Sequence, residues 1–514
     1  MKLGIIDIGS NSIRLVVMDV HDQAYLITDQ IKHSARLGQD MTPDGYLNEE
    51  RINYALKVLT HFSNFMRKKG VAEVICVATE AIRRAKNQSQ FLSKARVALG
   101  SEIRVLSGLE EAYYDYLGCV NTLDVKSALA FDIGGSSTEL ILIKNRYLEE
   151  SISTRLGSIS LMEMFDLGAD PSPEAIEHVK AFILDQFSRI PWLRRGKKLP
   201  LIGIGGSVRT MGKIDRLRKG QSQFIAHNYS MDRSDIDEVV NLNLNYKIGT
   251  GPRPKGLARD RDDIFTGSLI LIETLADYLN SEKIFVSGAG VRDGLLFEYL
   301  FGAKTFVPDV LEFSLRNVIK NHMSSDYDGE ELWSVAEPIF DLLATSNSDL
   351  RNMKKVMKTT TYLHDIGKSI NFFQRDRNTF YSILNAPIHG ISQKQILLAA
   401  SSATMSSTDD ILKEFLGNQL LNQRDIRVIR KLGLILKLSQ AIVYSSLSDG
   451  ILENMTLTKS KLVIPMASMN EIMFAKEKFS YNQSEFRRTF GVYPDFIEVS
   501  KMRNARLLLN NEAL

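Results

Sequence analysis

The stretch DIGSNSIRLVV, residues 7–17, returns farther along the chain as DIGGSSTELIL, residues 132–142. Asp, Ile, Gly, Ser and Leu recur at matching offsets, at 7/132, 8/133, 9/134, 12/137 and 15/140. Each copy lies between two short apolar runs, Leu3–Ile6 with Leu15–Val20 and Ala128–Phe131 with Leu140–Ile143. Apolar runs of this length bounded by glycine read as strands joined by a turn. A duplicated strand–loop–strand unit implies two related domains facing each other across a cleft.

Each loop carries the chemistry of a phosphate cradle. Gly9, Gly134 and Gly135 permit backbone conformations that a side chain would block. The exposed N–H groups can then converge on an anion. Ser10, Asn11, Ser12, Ser136, Ser137 and Thr138 add short side-chain donors. Asp7 and Asp132 repel phosphate directly, so a hydrated Mg²⁺ between carboxylate and phosphate is the expectation. Glu139 follows the second loop and opens an apolar strand; facing inward, it would hold Mg²⁺ or its waters. Gly205-Gly206-Ser207, after the apolar run Leu201–Ile204, makes a third phosphate-compatible turn.

Outward from the loops, strand-like and helix-like segments alternate. Helices are expected over Asn48–Arg67, Ser89–Leu99, Leu109–Leu117 and Asp263–Leu279, and strands over Val71–Ala78, Ile103–Leu106 and Lys283–Val286. Alternation of this kind argues for α/β layers. After Phe306-Val307-Pro308 the pattern turns mainly helical, with helices over Val310–Asn321, Glu337–Ala344, Met353–His364, Lys394–Ser402 and Asp425–Ser446 and a few strands within 459–499. The expected domains are 1–124, 125–304 and 305–514.

Bulk composition narrows the setting. The chain has 514 residues, 44% of them hydrophobic, enough for a sizeable core without disulfide staples. Sixty-four basic against 61 acidic residues give a net charge of only +3, which makes no case for wholesale nucleic-acid or membrane binding. Basic runs at 194–198 and 216–219 are candidate guides for a polyanion. Cys76 and Cys119 sit among apolar residues and read as buried thiols, with no zinc or disulfide spacing. No run reaches the length of a membrane span, and MKLGIIDIGSNS reads as a strand entering a turn rather than a signal peptide. A reducing, cytoplasmic location is the expectation.

The order of several segments resembles the exopolyphosphatase/guanosine pentaphosphate phosphatase family. They are GIIDIGSNSIRLVV (4–17), ATEAIRRAKN (78–87), SGLEEAYYDYLG (107–118), ALAFDIGGSSTELILI (128–143), RLGSISL (155–161), IGIGGSVRT (202–210) and VSGAGVRDGLL (286–296). The resemblance implies an α/β fold of two actin-like (ribonuclease-H-like) domains and hydrolysis of terminal phosphates from inorganic polyphosphate. It also implies Mg²⁺ as the cofactor, with room for Mn²⁺ and a monovalent cation, and a homodimer. Its catalytic glutamate falls on Glu111, expected to deprotonate the attacking water, and its arginine in the preceding A-x-R segment falls on Arg83, expected to clamp a phosphate. Two positions depart from the family pattern: Tyr113 stands where many members have Arg, and Ser136 where many have a third Gly.

Within the helical region, YLHDIGKS (362–369) resembles the HD phosphohydrolase motif, with His389 farther on. The earlier helix lacks the expected histidine, and Gln440 stands where many members have Asp, so the third domain reads as a degenerate, structural HD-like domain without tightly bound metal. The leading functional expectation is an exopolyphosphatase. The alternative is a guanosine pentaphosphate (pppGpp) 5′-phosphohydrolase, followed by an actin-like kinase or chaperone and a non-catalytic polyphosphate- or (p)ppGpp-binding regulator.

Overall fold

The computed structural model describes the chain except residues 43, 168–170, 222–224, 247–250, 263, 303–305, 324–326, 406–420, 446–453 and 500–514. The chain forms two compact units, Met1–Val310 and Leu311–Leu514. The expected domain edge at 304/305, the first residue of the helix expected from Asp263 and the last of the one expected to end at Ser446 lie outside the described residues.

The first unit holds two sheets. Strands β1 (Lys2–Ile8), β2 (Ile13–His21), β3 (Ala24–His33), β4 (Glu73–Ala78) and β5 (Arg104–Val105) form the first, in the order β3-β2-β1-β4-β5. Helices α1 (Glu49–Lys69), α2 (Glu80–Arg84), α3 (Gln88–Leu99) and α4 (Gly108–Val120) connect or follow them. The second sheet contains β6 (Ala128–Ile133), β7 (Thr138–Lys144), β8 (Tyr147–Thr154), β9 (Leu201–Ile204), β10 (Tyr229–Asp232) and β11 (Lys283–Val286), in the order β10-β11-β9-β6-β7-β8. Its helices are α5 (Ser158–Phe165), α6 (Pro173–Ser188), α7 (Gly205–Arg218), α8 (Arg233–Leu244), α9 (Phe265–Leu279) and α10 (Val291–Phe301).

The duplication is visible in the registers. β1 and β2 pair antiparallel with Asp7 opposite Arg14, and β6 and β7 pair with Asp132 opposite Glu139. β1 then runs parallel to β4, as β6 does to β9. The central strands are buried on both faces and read as continuous apolar runs, as parallel sheets covered by helices require. Leu3, Ile5, Val77, Ala130 and Ile141 belong to one apolar cluster with Leu117 of α4 and Leu295 of α10, so the two halves share a core. Two close approaches fix that seam: a side chain at Gly118 would strike the Gly290 backbone, and one at Gly294 the Tyr114 carbonyl.

The edge strands β3 and β8 escape the sequence pattern because their side chains are half-buried or exposed rather than apolar on one face. The second unit is mainly helical, with a small sheet of Thr456–Leu457, Lys461–Met466 and Tyr493–Glu498. The few strands expected within 459–499 are Lys461–Met466 and Tyr493–Glu498, and between them lies an unforeseen helix, Met469–Phe490, capped by Ser468, whose side chain accepts from the Glu471 N–H. No described helix is long and apolar enough to cross a membrane.

Candidate active site

The strand ends of both sheets deliver their loops to one cavity of about 140 Å³. The loops close identically: the Gly9 N–H donates to the Ser12 carbonyl at 3.1 Å, and the Gly134 N–H to the Ser137 carbonyl at 2.9 Å. Their carbonyls are held from behind. Arg36 and Gly38 N–H groups donate to Asn11 and Ser10, and Ser158 and Ile159 N–H groups donate to Gly134 and Gly135. With the carbonyls tied back, the loops turn their N–H edge to the cavity, the arrangement that binds anions. Asp7, Gly9, Ser10, Asn11, Ser12, Asp132, Gly134, Gly135 and Ser137 all line it.

The third turn joins them. β9 ends at Ile204 and α7 starts at Gly205, whose φ of 85° is the left-handed region glycine favours. A side chain there would collide with the Asp132 carboxylate. At Gly206 the Arg261 guanidinium lies where a side chain would begin, so a larger residue there would push Arg261 aside. Gly205, Gly206 and Ser207 line the cavity, and the Ser207 hydroxyl is 2.9 Å from that of Ser268.

Glu111 reaches the cavity from the first turn of α4, a helix opened by a capping box between Ser107 and Glu110. Arg83 Nη1 donates to Glu111 Oε2 at 3.2 Å and to the Leu106 carbonyl at 2.6 Å, and Arg83 also pairs with Glu80. Arg83 is thus engaged in holding Glu111 and is not among the cavity-lining residues. Nor are Ser136, Thr138 and Glu139. The Thr138 hydroxyl donates to the Leu156 carbonyl. Glu139 is 1% exposed and accepts from the Ser153 hydroxyl at 2.7 Å.

Charge at the site is dense and buried. Burial raises the carboxyl of Asp7 above its usual range, against the pull of Arg14. Burial pushes Asp132 up to about 6 and Glu139 up to about 7, with Asp132 adding to the latter. Glu111 is raised well above the usual carboxylate range by burial and by Glu139. Asp115, one helical turn after Glu111, is completely buried, and neither carboxylate oxygen has a hydrogen-bond partner. Burial, with the neighbouring Asp132, raises its carboxyl well above the usual range.

Four arginines face these acids: Arg14, Arg209, Arg261 and Arg292. Burial, with Arg14 beside it, lowers Arg209 to about 10, and burial also lowers Arg292, one of whose terminal nitrogens is buried without a partner. No motif spacing announced this set, which comes from four separate segments. The signal within reach was Gly-Ala-Gly-Val-Arg-Asp at 288–293, which follows β11 as Gly205 follows β9; Gly288, Gly290, Arg292 and Asp293 all line the cavity.

A second cavity of about 510 Å³ opens beside the first, sharing Arg14, Gly206, Arg209, Arg261, Gly288 and Arg292. It adds Lys32, Lys213 and Arg216, and among the described residues its lining contains no carboxylate and no aromatic ring. The basic runs of the sequence contribute less than their charge suggests. Arg218 and Lys219 are tied to Asp215 and Asp235, and Arg195 to Glu149 and Glu150; of the 216–219 run only Arg216 lines this cavity.

Residues 16–301, more than half of the chain, match the model of the Ppx/GppA phosphatase family. The chain belongs to that family. A solved Ppx/GppA family member from Aquifex aeolicus is 26% identical with a TM-score of 0.51, covering 58% of this chain and 98% of that one. An exopolyphosphatase from Cytophaga hutchinsonii is 20% identical with a TM-score of 0.56, covering 60% of this chain and 100% of that one, a likeness of fold alone. A protein of Fusobacterium nucleatum described as a bifunctional 3-dehydroquinate synthase/phosphatase is 28% identical over 295 residues. That match takes in 55% of this chain and 44% of the relative, so the chain spans less than half the length of that curated protein. Together with the Aquifex aeolicus likeness, the family match gives the first unit as a pair of actin-like α/β halves of the Ppx/GppA phosphatase family.

Proposed function

We propose that the protein is an exopolyphosphatase, releasing orthophosphate from the end of inorganic polyphosphate. The observation that carries this reading is the second cavity: seven cationic side chains, no carboxylate and no aromatic ring, continuous with the loop-lined site. A chain of phosphates can meet these cations one after another, whereas a guanine base would find no aromatic ring to stack on and no carboxylate to accept its N–H groups. The pppGpp alternative has no comparable support in the lining.

The reaction follows from the placement. The loop N–H groups and the arginines hold the terminal phosphoryl and stabilise the charge that spreads over its oxygens. Glu111, fixed by Arg83, takes the proton of the attacking water. Burial and the neighbouring Glu139 raise its affinity for protons, the direction a general base needs.

The residues present fit a divalent cation. Among the described residues no three His, Cys, Asp or Glu side chains form a ready-made ligand cluster. Mg²⁺, however, is commonly held by one or two carboxylates with waters and substrate phosphates. Asp7 and Asp132 would supply those carboxylates from the two loops, and Glu139, behind the cavity wall, would orient waters. Burial, and after it the repulsion of Asp7 on Asp132 and of Asp132 on Glu139, raises these acids, and a cation would offset both. When bound, it would neutralise the charge of the phosphate oxygens.

Glu111→Gln tests the base directly. kcat on polyphosphate is expected to fall at least ~100-fold, as loss of a general base does, while substrate binding is retained. Unchanged turnover would remove Glu111 from that role.

A further inference from the structure

The loop that follows β11 brings Arg292 to the site, and side chains from two other elements pin it. Its first link is backbone: the Ser287 N–H donates to the Gly203 carbonyl of β9 at 2.8 Å. The next residue, Gly288, is gripped at both polar groups. Its N–H donates to His227 Nδ1 at 2.9 Å, and its carbonyl accepts from Arg209 Nη1 at 3.3 Å. Gly288, Arg209 and Arg292 line both cavities, whereas His227 lines neither.

His227 stands just before β10, whose Tyr229 pairs with Val286 at the end of β11. The Asn228 N–H donates to the Val286 carbonyl at 2.8 Å, and this pairing carries the histidine ring to the start of the loop. The approach is close, since a side chain at Gly288 would begin 3.0 Å from His227 Cβ. The other ring nitrogen, Nε2, lies 3.1 Å from the carbonyl of Thr122, just past the end of α4.

The two contacts fix the state of the ring. Nδ1 must be bare to accept an amide N–H, so Nε2 carries the proton and donates to Thr122. Burial lowers the proton affinity of His227, against the pull of the Thr122 carbonyl and of Asp293, and so favours this neutral form. A doubly protonated ring would turn an N–H towards the Gly288 N–H.

Two cavity arginines depend on the place of Gly288. Arg209 spends one N–H on its carbonyl. Arg292 opens α10, whose first turn is boxed two residues after Gly288, where the Gly290 N–H donates to Asp293 Oδ2 at 2.9 Å. A loop released at Gly288 would shift both guanidiniums.

We propose that His227 is a positioning residue for anion binding: through Gly288 it sets the places of Arg209 and Arg292 without touching substrate itself. This rests on reading the two cavities as a phosphate site, and not on which phosphate chain is cleaved.

Asparagine and glutamine separate the two ring contacts. Asn puts an amide oxygen near the Nδ1 position and still accepts from Gly288. Gln reaches the Nε2 position and still donates to Thr122, but leaves the Gly288 N–H without an acceptor. The test is equilibrium binding of tripolyphosphate to the full chain, H227N and H227Q, with orthophosphate release from polyphosphate measured alongside. H227Q is expected to bind tripolyphosphate about 10-fold more weakly and to raise KM by a similar factor with kcat within about 3-fold, the scale of one lost buried hydrogen bond. H227N is expected to stay within about 3-fold of wild type in all three quantities. Folded H227Q that binds as wild type does overturns the proposal, as does H227N that loses as much as H227Q. The ring nitrogen NMR shifts of wild type read the same contact without a variant, and a protonated Nδ1 at neutral pH overturns it. Wild type that does not bind tripolyphosphate overturns this proposal and the phosphate site together. Wild type that binds it but releases nothing from polyphosphate removes only the exopolyphosphatase reading, and the binding comparison still decides on His227.

Discussion

Seven residues after the loop aspartate, the two halves of the first unit diverge. In the first half the position is Arg14, which pairs across the hairpin with Asp7, lines both cavities and donates to the Ser12 hydroxyl at 3.1 Å. In the second half it is Glu139, which pairs with Asp132, is buried behind the cavity and accepts from Ser153. The backbone is the same down to the three-residue closure of each loop. Duplication supplied a symmetric cradle, and one charge reversal divides the labour. The first hairpin presents a cation to the cavity; the second buries a carboxylate behind it, which in the proposed function would serve a metal's waters.

Substitutions at the loop and hairpin positions can break or sharpen that division. The largest effect is expected where the halves are alike. Asp7→Asn and Asp132→Asn should each lower kcat by about 10³-fold in saturating Mg²⁺, the several kcal/mol that metal positioning contributes. A loss confined to one of them would show that a single half carries the cation.

The next effect separates the halves. Glu139→Gln should weaken Mg²⁺ activation by roughly 10- to 100-fold, as loss of a supporting carboxylate does, and leave KM for polyphosphate nearly unchanged. Arg14→Gln should do the opposite, raising KM by about 10-fold through one lost charge-assisted contact while leaving the Mg²⁺ requirement alone. Titrating activity against Mg²⁺ and against polyphosphate in both variants distinguishes the two outcomes. The same response in both would erase the proposed division.

The smallest effect is on stability. Burial raises Asp132 to about 6 and Glu139 to about 7, whereas free carboxyls titrate near about 4. Between those values the folded protein keeps protons that the unfolded chain gives up. Stability is therefore highest below the unfolded values and is lost as pH rises through about 6 and then about 7. Without divalent metal, Tm should fall by several degrees between pH 5 and pH 8, since each unit of pH traversed below a raised value removes about 1.4 kcal/mol per group. Added Mg²⁺ should flatten the slope, and a Tm that climbs across that interval would contradict the account.

The paired hairpins were legible because they combine two local signals, an apolar strand on each side and glycine between, and because they occur twice. Strands β4, β9 and β11 were legible for the same reason, being buried on both faces. Ala24–His33 and Tyr147–Thr154 were not, since an edge strand with mixed polarity carries neither period clearly. Met469–Phe490 was missed although Ser468 and Glu471 gave a capping signal; its buried residues Ile472, Ala475, Phe479 and Phe486 are sparse for its length. At the site, the backbone-built parts were readable and the side-chain-built parts were not. Arg14, Arg209, Arg261 and Arg292 become neighbours only through the sheet order. Asp115 looks like any helical acid until α4 packs against α10. Arg83 was expected on the phosphate, yet the fold places it on Glu111.

The most direct test of the account is orthophosphate release from long-chain polyphosphate and from guanosine pentaphosphate, measured side by side with and without Mg²⁺. The second cavity, with seven cations and no carboxylate in its described lining, predicts Mg²⁺-dependent release from polyphosphate with a kcat/KM at least ~10-fold above that for guanosine pentaphosphate, a difference of about 1.4 kcal/mol. Release from guanosine pentaphosphate alone, or release from polyphosphate that persists undiminished without a divalent cation, would contradict it.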